Sequence, residues 1–93
     1  IAWYNYGNLL RKDIKDLRGA QAAYSRATEL RPQMAEAHYN LGAVLIDLAQ
    51  YEDAVTAIES ALGLAAPSAS WRQEAEAALL RAHVLAGTKA QGR

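Results

Sequence analysis

Apolar residues recur along this chain at spacings of three and four, the period of an amphipathic helix. Five such stripes can be traced through residues 3–14, 17–27, 38–48, 51–61 and 71–85. Pro32 excludes the helical conformation at Arg31, and Ser70 with Gln73 can form a capping box before the last stripe. The pattern therefore predicts helices over 1–12, 16–30, 34–48, 51–64 and 70–86, followed by a frayed tail over 87–93.

The composition agrees with an all-helical fold. The 93 residues include 21 alanines, and 52% of the chain is apolar, unlike a disordered segment. Ten basic residues balance ten acidic ones, whereas nonspecific binding to nucleic acid or anionic membranes favours a basic chain. No cysteine is present, which excludes disulfides and thiolate ligands for metals. The length fits one small domain, and because the chain opens on Ile1 we expect a piece of a longer protein.

The stripes repeat at a nearly constant displacement. In the second helix of each pair the displacement is 34 residues: Ala20, Tyr24 and Ala27 match Ala54, Ile58 and Ala61. In the first helix it is 35 residues: Trp3, Gly7 and Leu10 match His38, Gly42 and Leu45. One extra residue in the turn 12–15 accounts for the difference. The chain therefore contains two predicted helix–turn–helix units of the same design.

A unit of this length resembles the tetratricopeptide repeat (TPR), with the pattern W-x2-L-G-x2-Y, then A-x3-F, then P. The first copy reads Trp3-x2-Tyr6-Gly7-x2-Leu10, Ala20-x3-Tyr24 and Pro32; the second reads His38-x2-Leu41-Gly42-x2-Leu45, Ala54-x3-Ile58 and a late Pro67. His38 and Tyr6 depart from the pattern. The resemblance implies an all-α, right-handed α-solenoid in one domain, 1–93, with repeats over 1–33 and 34–67 and a fifth helix over 70–86.

No residues are arranged for catalysis. His38 and His83 lie on different helices, and His38 occupies a core slot of the repeat, so we expect a packed imidazole there. The adjacent carboxylates Glu52 and Asp53 point apart on a helix. The sequence has no Gly-rich phosphate loop and no metal-spaced cluster. We therefore predict a non-enzymatic segment with no catalytic residue, no cofactor and no metal.

The resemblance assigns function to the first helix of each pair, which lines the concave groove of such solenoids. On a 100° wheel, the residues opposite the core stripe are Tyr4, Asn5, Asn8, Arg11 and Lys12 in the first helix, and Tyr39, Asn40, Ala43, Ile46 and Asp47 in the third. Tyrosine with neighbouring amides suits an extended peptide backbone. The alternative is that these residues tie one repeat to the next, and the sequence leaves both interpretations open.

The fifth predicted helix is apolar on two sides. One side carries Ala75, Ala78, Ala82 and Leu85, and Leu80 and Val84 point away from it. If Ala75 takes the slot of Trp3 and His38, Leu80 and Val84 line the groove. They then form an apolar floor with Tyr39, Ala43 and Ile46 for an amphipathic helix, an extended peptide or a second copy. The alternative is that both pack on a further helix of the parent protein.

These features predict a protein–protein interaction module, a scaffold or adaptor, that binds a protein or peptide; a homo-oligomer stays open. The alternative is a repeat segment of a larger enzyme, such as a bacterial glycosyl- or sulfotransferase, used for substrate positioning or self-assembly. The basic residues within 11–18 lack interleaved aromatics, which disfavours nucleic acid. The longest uncharged run, 60–71, is too short to span a bilayer, so no membrane partner is expected.

Overall fold

A computed structural model describes the backbone of residues 2–91 and the side chains of residues 2–87. Within these residues the chain forms five α-helices and no strand, so the predicted all-α fold is confirmed. The helices are α1 (Ala2–Leu9), α2 (Leu17–Leu30), α3 (Ala35–Asp47), α4 (Tyr51–Leu64) and α5 (Arg72–Gln91), and a π-helical turn over Leu10–Ile14 continues α1.

The core runs along the stack of helices. In chain order α1 packs on α2, α2 on α3, α3 on α4 and α4 on α5. One buried cluster contains Leu10, Ala20, Ala23, Tyr24 and Val44, and a second contains Leu45, Ile46, Ala54, Ala57, Ile58, Ala75 and Ala82. The first cluster includes Val44 of α3 together with residues of the α1–α2 pair, and the second includes Ala75 and Ala82 of α5 together with residues of the α3–α4 pair. Each pair of helices therefore needs the helix that follows it to bury its core.

Two glycines allow the helices of each hairpin to cross closely. A Cβ atom on Gly7 would lie 2.6 Å from Cε1 of Tyr24. A Cβ atom on Gly42 would overlap Cγ1 of Ile58 and lie 3.4 Å from the carbonyl oxygen of Ala54. Any side chain at these positions would push the second helix away, which is why both repeats have glycine in the same slot.

The extra residue of the first repeat is absorbed by the π-helical turn. Lys15 follows this turn with φ of 65°, and Ala49, at the equivalent position after α3, has φ of 62°. In both repeats, one residue in the left-handed conformation therefore follows the first helix and ends it. Asp16 then caps α2, because its Oδ1 accepts a hydrogen bond of 2.9 Å from the backbone N–H of Gly19.

The last helix differs from its predicted bounds, chiefly at its C-terminal end. It begins at Arg72 rather than at residue 70, so Ser70 does not cap it, and it continues past Gly87 to Gln91. The tail expected from residue 87 is thus helical as far as Gln91, and its residues 92–93 lie outside the described part of the chain. A single glycine costs a helix only about 1 kcal/mol, and no proline follows Gly87 to end the helix.

Candidate partner-binding groove

Polar side chains of α1 and α3 meet at the boundary between the two repeats. Nδ2 of Asn40 donates hydrogen bonds of 3.2 Å to Oη of Tyr4 and 3.2 Å to Oδ1 of Asn8. The hydroxyl of Tyr24 donates to the same Asn8 oxygen. These bonds support the interpretation in which tyrosine and asparagine tie one repeat to the next. The four side chains, Tyr4, Asn8, Tyr24 and Asn40, are called the junction network below.

Arg11 and Glu74 set the electrostatics beside this network. Burial raises the pKa of Tyr24 above its ordinary value of 10.0, and the nearby Arg11 guanidinium partly opposes the rise. Burial also raises the pKa of Tyr39; the Glu74 carboxylate adds to that rise and Arg11 opposes it. Charges from the π-helical turn and from α5 therefore act on one tyrosine of α3. The surface between α3 and α1 with its π-helical turn, with Tyr4, Asn8 and Asn40 of the junction network at its base, is called the strip below.

The two tyrosines that share a repeat slot are each covered by another aromatic ring. Tyr39 stacks on Trp71 with ring centroids 5.2 Å apart and ring planes 11° apart. Tyr4 lies against Tyr24 with centroids 6.1 Å apart. Sequence reasoning placed Trp71 and Tyr24 only in core stripes and missed both contacts. Both tyrosines are half-buried, so each offers a partner only part of its surface.

The other predicted groove residues differ in exposure. Asn5, Lys12 and Asp47 are exposed, whereas Arg11 and Ala43 are half-buried. The placement of Ile46 in the groove is wrong: its side chain is only 7% exposed and belongs to the core cluster of α3, α4 and α5. A large apolar side chain such as that of Ile46 is more stable packed beneath α5 than exposed to water at the edge of the groove.

The predicted apolar floor is also wrong. Leu80 and Val84 are 67% and 56% exposed, and they lie on the side of α5 opposite the fully buried Ala75 and Ala82. Because α5 packs on α4 and α3 through the buried side, its exposed side faces away from both helices. Leu80 and Val84 therefore do not continue a surface that also contains Tyr39, Ala43 and Ile46.

The apolar floor does not form because α5 aligns with α3 one residue away from the register on which the floor depended. Four positions are fully buried at the same seven-residue spacing, Ala37 and Val44 in α3 and Ala75 and Ala82 in α5. Ala75 thus matches Ala37. The condition on which the apolar floor depended, a match of Ala75 to the half-buried His38, is not met. With this alignment Leu80 falls in the slot of Gly42, and Val84 falls in the slot of Ile46.

The described part of the chain has no group of His, Asp or Glu side chains arranged to bind a metal ion. Nε2 of His38 lies 2.8 Å from the carbonyl oxygen of Pro32, and His83 is exposed on another helix. None of the helices over residues 2–91 is long and apolar enough to cross a membrane.

Two family models match this chain. One, described as TPR repeat, matches residues 7–48, and the other, described as Tetratricopeptide repeat, matches residues 35–67. Together they cover about two thirds of the chain, including both glycine crossings. The chain therefore belongs to the tetratricopeptide repeat family, whose repeats generally mediate protein–protein interactions and are typically not catalytic. No curated protein matches the sequence.

Proposed function

We propose that this chain is a scaffold or adaptor module that binds an extended segment of a partner protein along the strip bordered by α1 and α3. The junction network carries the proposal, because the hydrogen bonds that tie the two repeats together also fix Tyr4, Asn8 and Asn40 before a partner arrives. A floor that is already ordered loses little conformational entropy on binding. The exposed Asn5 beside it offers both a donor and an acceptor to a peptide backbone.

The charges along the strip favour a peptide of mixed charge. Arg11 and Lys12 provide positive charge in the π-helical turn that continues α1, whereas Glu36 and Asp47 provide negative charge on α3. We expect acidic side chains of the partner to lie toward α1 and basic ones toward α3. A nucleic acid is disfavoured because its phosphates would meet the two carboxylates on α3.

Selection from a displayed library of random peptides about twelve residues long supplies a ligand for testing this proposal. The dissociation constant of a selected peptide is then measured by fluorescence anisotropy. We expect the double variant Arg11→Gln/Lys12→Gln to bind at least about tenfold more weakly, the equivalent of about 1.4 kcal/mol. Circular dichroism establishes that the variant keeps its helices.

A matched control removes the same charge from another helix. Arg18 and Arg26 are exposed on α2, so Arg18→Gln/Arg26→Gln changes the net charge equally without touching the strip. The proposal predicts an unchanged dissociation constant for this control. Equal weakening in both double variants, or selected peptides that respond to neither, would contradict binding along the strip.

A further inference from the structure

The side of α5 that faces away from α3 and α4 carries a second apolar stripe. Its members are all exposed: Ala77, Leu80, Val84 and Gly87. At 100° per residue they lie within about 80° of one another, opposite the buried side of the helix. Leu80 and Val84 are the most exposed large apolar side chains of α5, at 67% and 56%. This stripe, over residues 77–87, is called the α5 seam below.

The spacing of the α5 seam is that of a coiled-coil heptad. Steps of three, four and three place Ala77 and Val84 at a positions and Leu80 and Gly87 at d positions. A β-branched residue at a with leucine at d favours a parallel two-stranded pairing. Gly87 has open space around it, since a Cβ atom there would meet nothing within 4 Å.

Charges beside the α5 seam also match a parallel pair. Glu76 occupies a g position and Arg81 the following e position, and both are exposed. In a parallel pair g of one helix faces this e position of the other, so Glu76 of each copy meets Arg81 of the second copy. In an antiparallel pair e faces e, and Arg81 would face its own equivalent. The 3.8 Å surface pair of Glu76 with the half-buried Arg72 is a weak competitor.

Leu80 also argues against a helix packed on α5 as α2 packs on α1. It occupies the slot of Gly7 and Gly42. A Cβ atom there would lie 2.6 Å from Tyr24 in the first repeat and would overlap Ile58 in the second. A leucine leaves no room for that crossing. Two α5 helices paired at the usual 8–10 Å between axes do accommodate leucine at d.

We propose that two copies of this chain associate through a parallel pairing of their α5 seams. This inference concerns a face outside the groove and does not depend on the proposed function. The seam spans about 15 Å of helix, well short of a standard interface, so the dimer is weak, with a dissociation constant on the order of 0.1 mM.

Sedimentation equilibrium of the full chain between about 10 μM and 1 mM tests this proposal. The expected result is an average mass that rises from monomer toward dimer across this range. Leu80→Glu should raise the dissociation constant more than about thirtyfold, because it places two carboxylates in the seam. The control is Leu30→Glu, which puts the same charge on another exposed leucine, 57% exposed at the end of α2, and leaves the association unchanged.

Cysteine cross-linking reports the direction of the helices, because the chain has no cysteine of its own. In a parallel pair residue 77 faces its equivalent, so oxidised Ala77→Cys forms a disulfide-linked dimer. In an antiparallel pair it faces residue 87, and only a mixture with Gly87→Cys cross-links. Ala22→Cys, exposed on α2, measures cross-linking by random collision and should give background only.

Four results would overturn the proposal. The first is a wild-type chain that stays monomeric up to about 1 mM, and the second is cross-linking confined to the mixture of Ala77→Cys and Gly87→Cys. The third is a large loss of melting temperature in Leu80→Glu at concentrations where the wild type is monomeric, which would make Leu80 a core residue. Weakened association in Leu30→Glu counts against the α5 seam in the same way.

Discussion

Replacing Gly42 by alanine tests the close crossing of α3 and α4. The added methyl group would overlap Cγ1 of Ile58, lie 3.2 Å from its Cδ1 and approach the carbonyl oxygen of Ala54 to 3.4 Å. Ile58 is fully buried, and its β-branched side chain has few alternative rotamers in a helix. The strain can therefore be relieved only by moving α4 away from α3.

Two opposing effects set the size of the change. Alanine is about 1 kcal/mol better than glycine in a helix interior, which stabilises the variant. Overpacking a dense core costs about 1–3 kcal/mol, sometimes more, and the overlap with Ile58 puts this site at the upper end. We therefore expect Gly42→Ala to lose about 2 kcal/mol of folding free energy, lowering the melting temperature by about 8–15 °C for a domain of this size.

Gly63→Ala is the matched control for this experiment. Gly63 lies near the end of α4, and a Cβ atom there would meet nothing within 4 Å. The same chemical change should therefore stabilise the chain, by about 0.5 kcal/mol. Both variants are measured by urea unfolding at about 5 μM, below the expected range of self-association. Two changes of the same sign would refute the close crossing.

Three further predictions concern the core and the junction network. Ala54→Leu should cost about 1–3 kcal/mol in urea unfolding, because Ala54 is fully buried where Gly42 crosses α4; a change near zero would place Ala54 outside that crossing. Asn8→Ala should cost about 1–2 kcal/mol, since the Tyr24 hydroxyl then loses its acceptor, and Asn8→Ala should cost much less in a Tyr24→Phe background. Burial raises the pKa values of Tyr24 and Tyr39 above 10.0 in the folded state. The free energy of unfolding should therefore be independent of these two groups below pH 10.0 and fall as the pH rises through the raised values. An ultraviolet titration in which all tyrosines ionise together would contradict this.

The repeat could be predicted from the sequence because its markers are residue types with one structural role. Gly7 and Gly42 mark the two crossings, and the displacements of 34 and 35 residues located the inserted residue. That insertion became a π-helical turn, Leu10–Ile14, because one extra residue in a helix is most easily absorbed by a wider turn. The family and the fold follow from such local signals.

The errors concern positions that only the tertiary packing decides. The fifth helix has no glycine at a crossing to fix its register, and its alanines occur on more than one face. Ala75 therefore matched His38 as well as Ala37 in sequence, and burial alone separates the two alignments. The core position of Ile46 and the stacking of Tyr39 on Trp71 both depend on where α5 packs.

Mapping a selected peptide onto the chain tests the central proposal most directly. Backbone and side-chain amide resonances of the ¹⁵N-labelled protein are followed while the peptide is added. Binding along the strip predicts the largest shift changes at Asn5 and Asn8 in α1, at Arg11 in the π-helical turn and at Asn40 in α3, including the Asn40 side-chain amide in the junction network. Largest changes in α2 or α4, with those four residues unaffected, would contradict it.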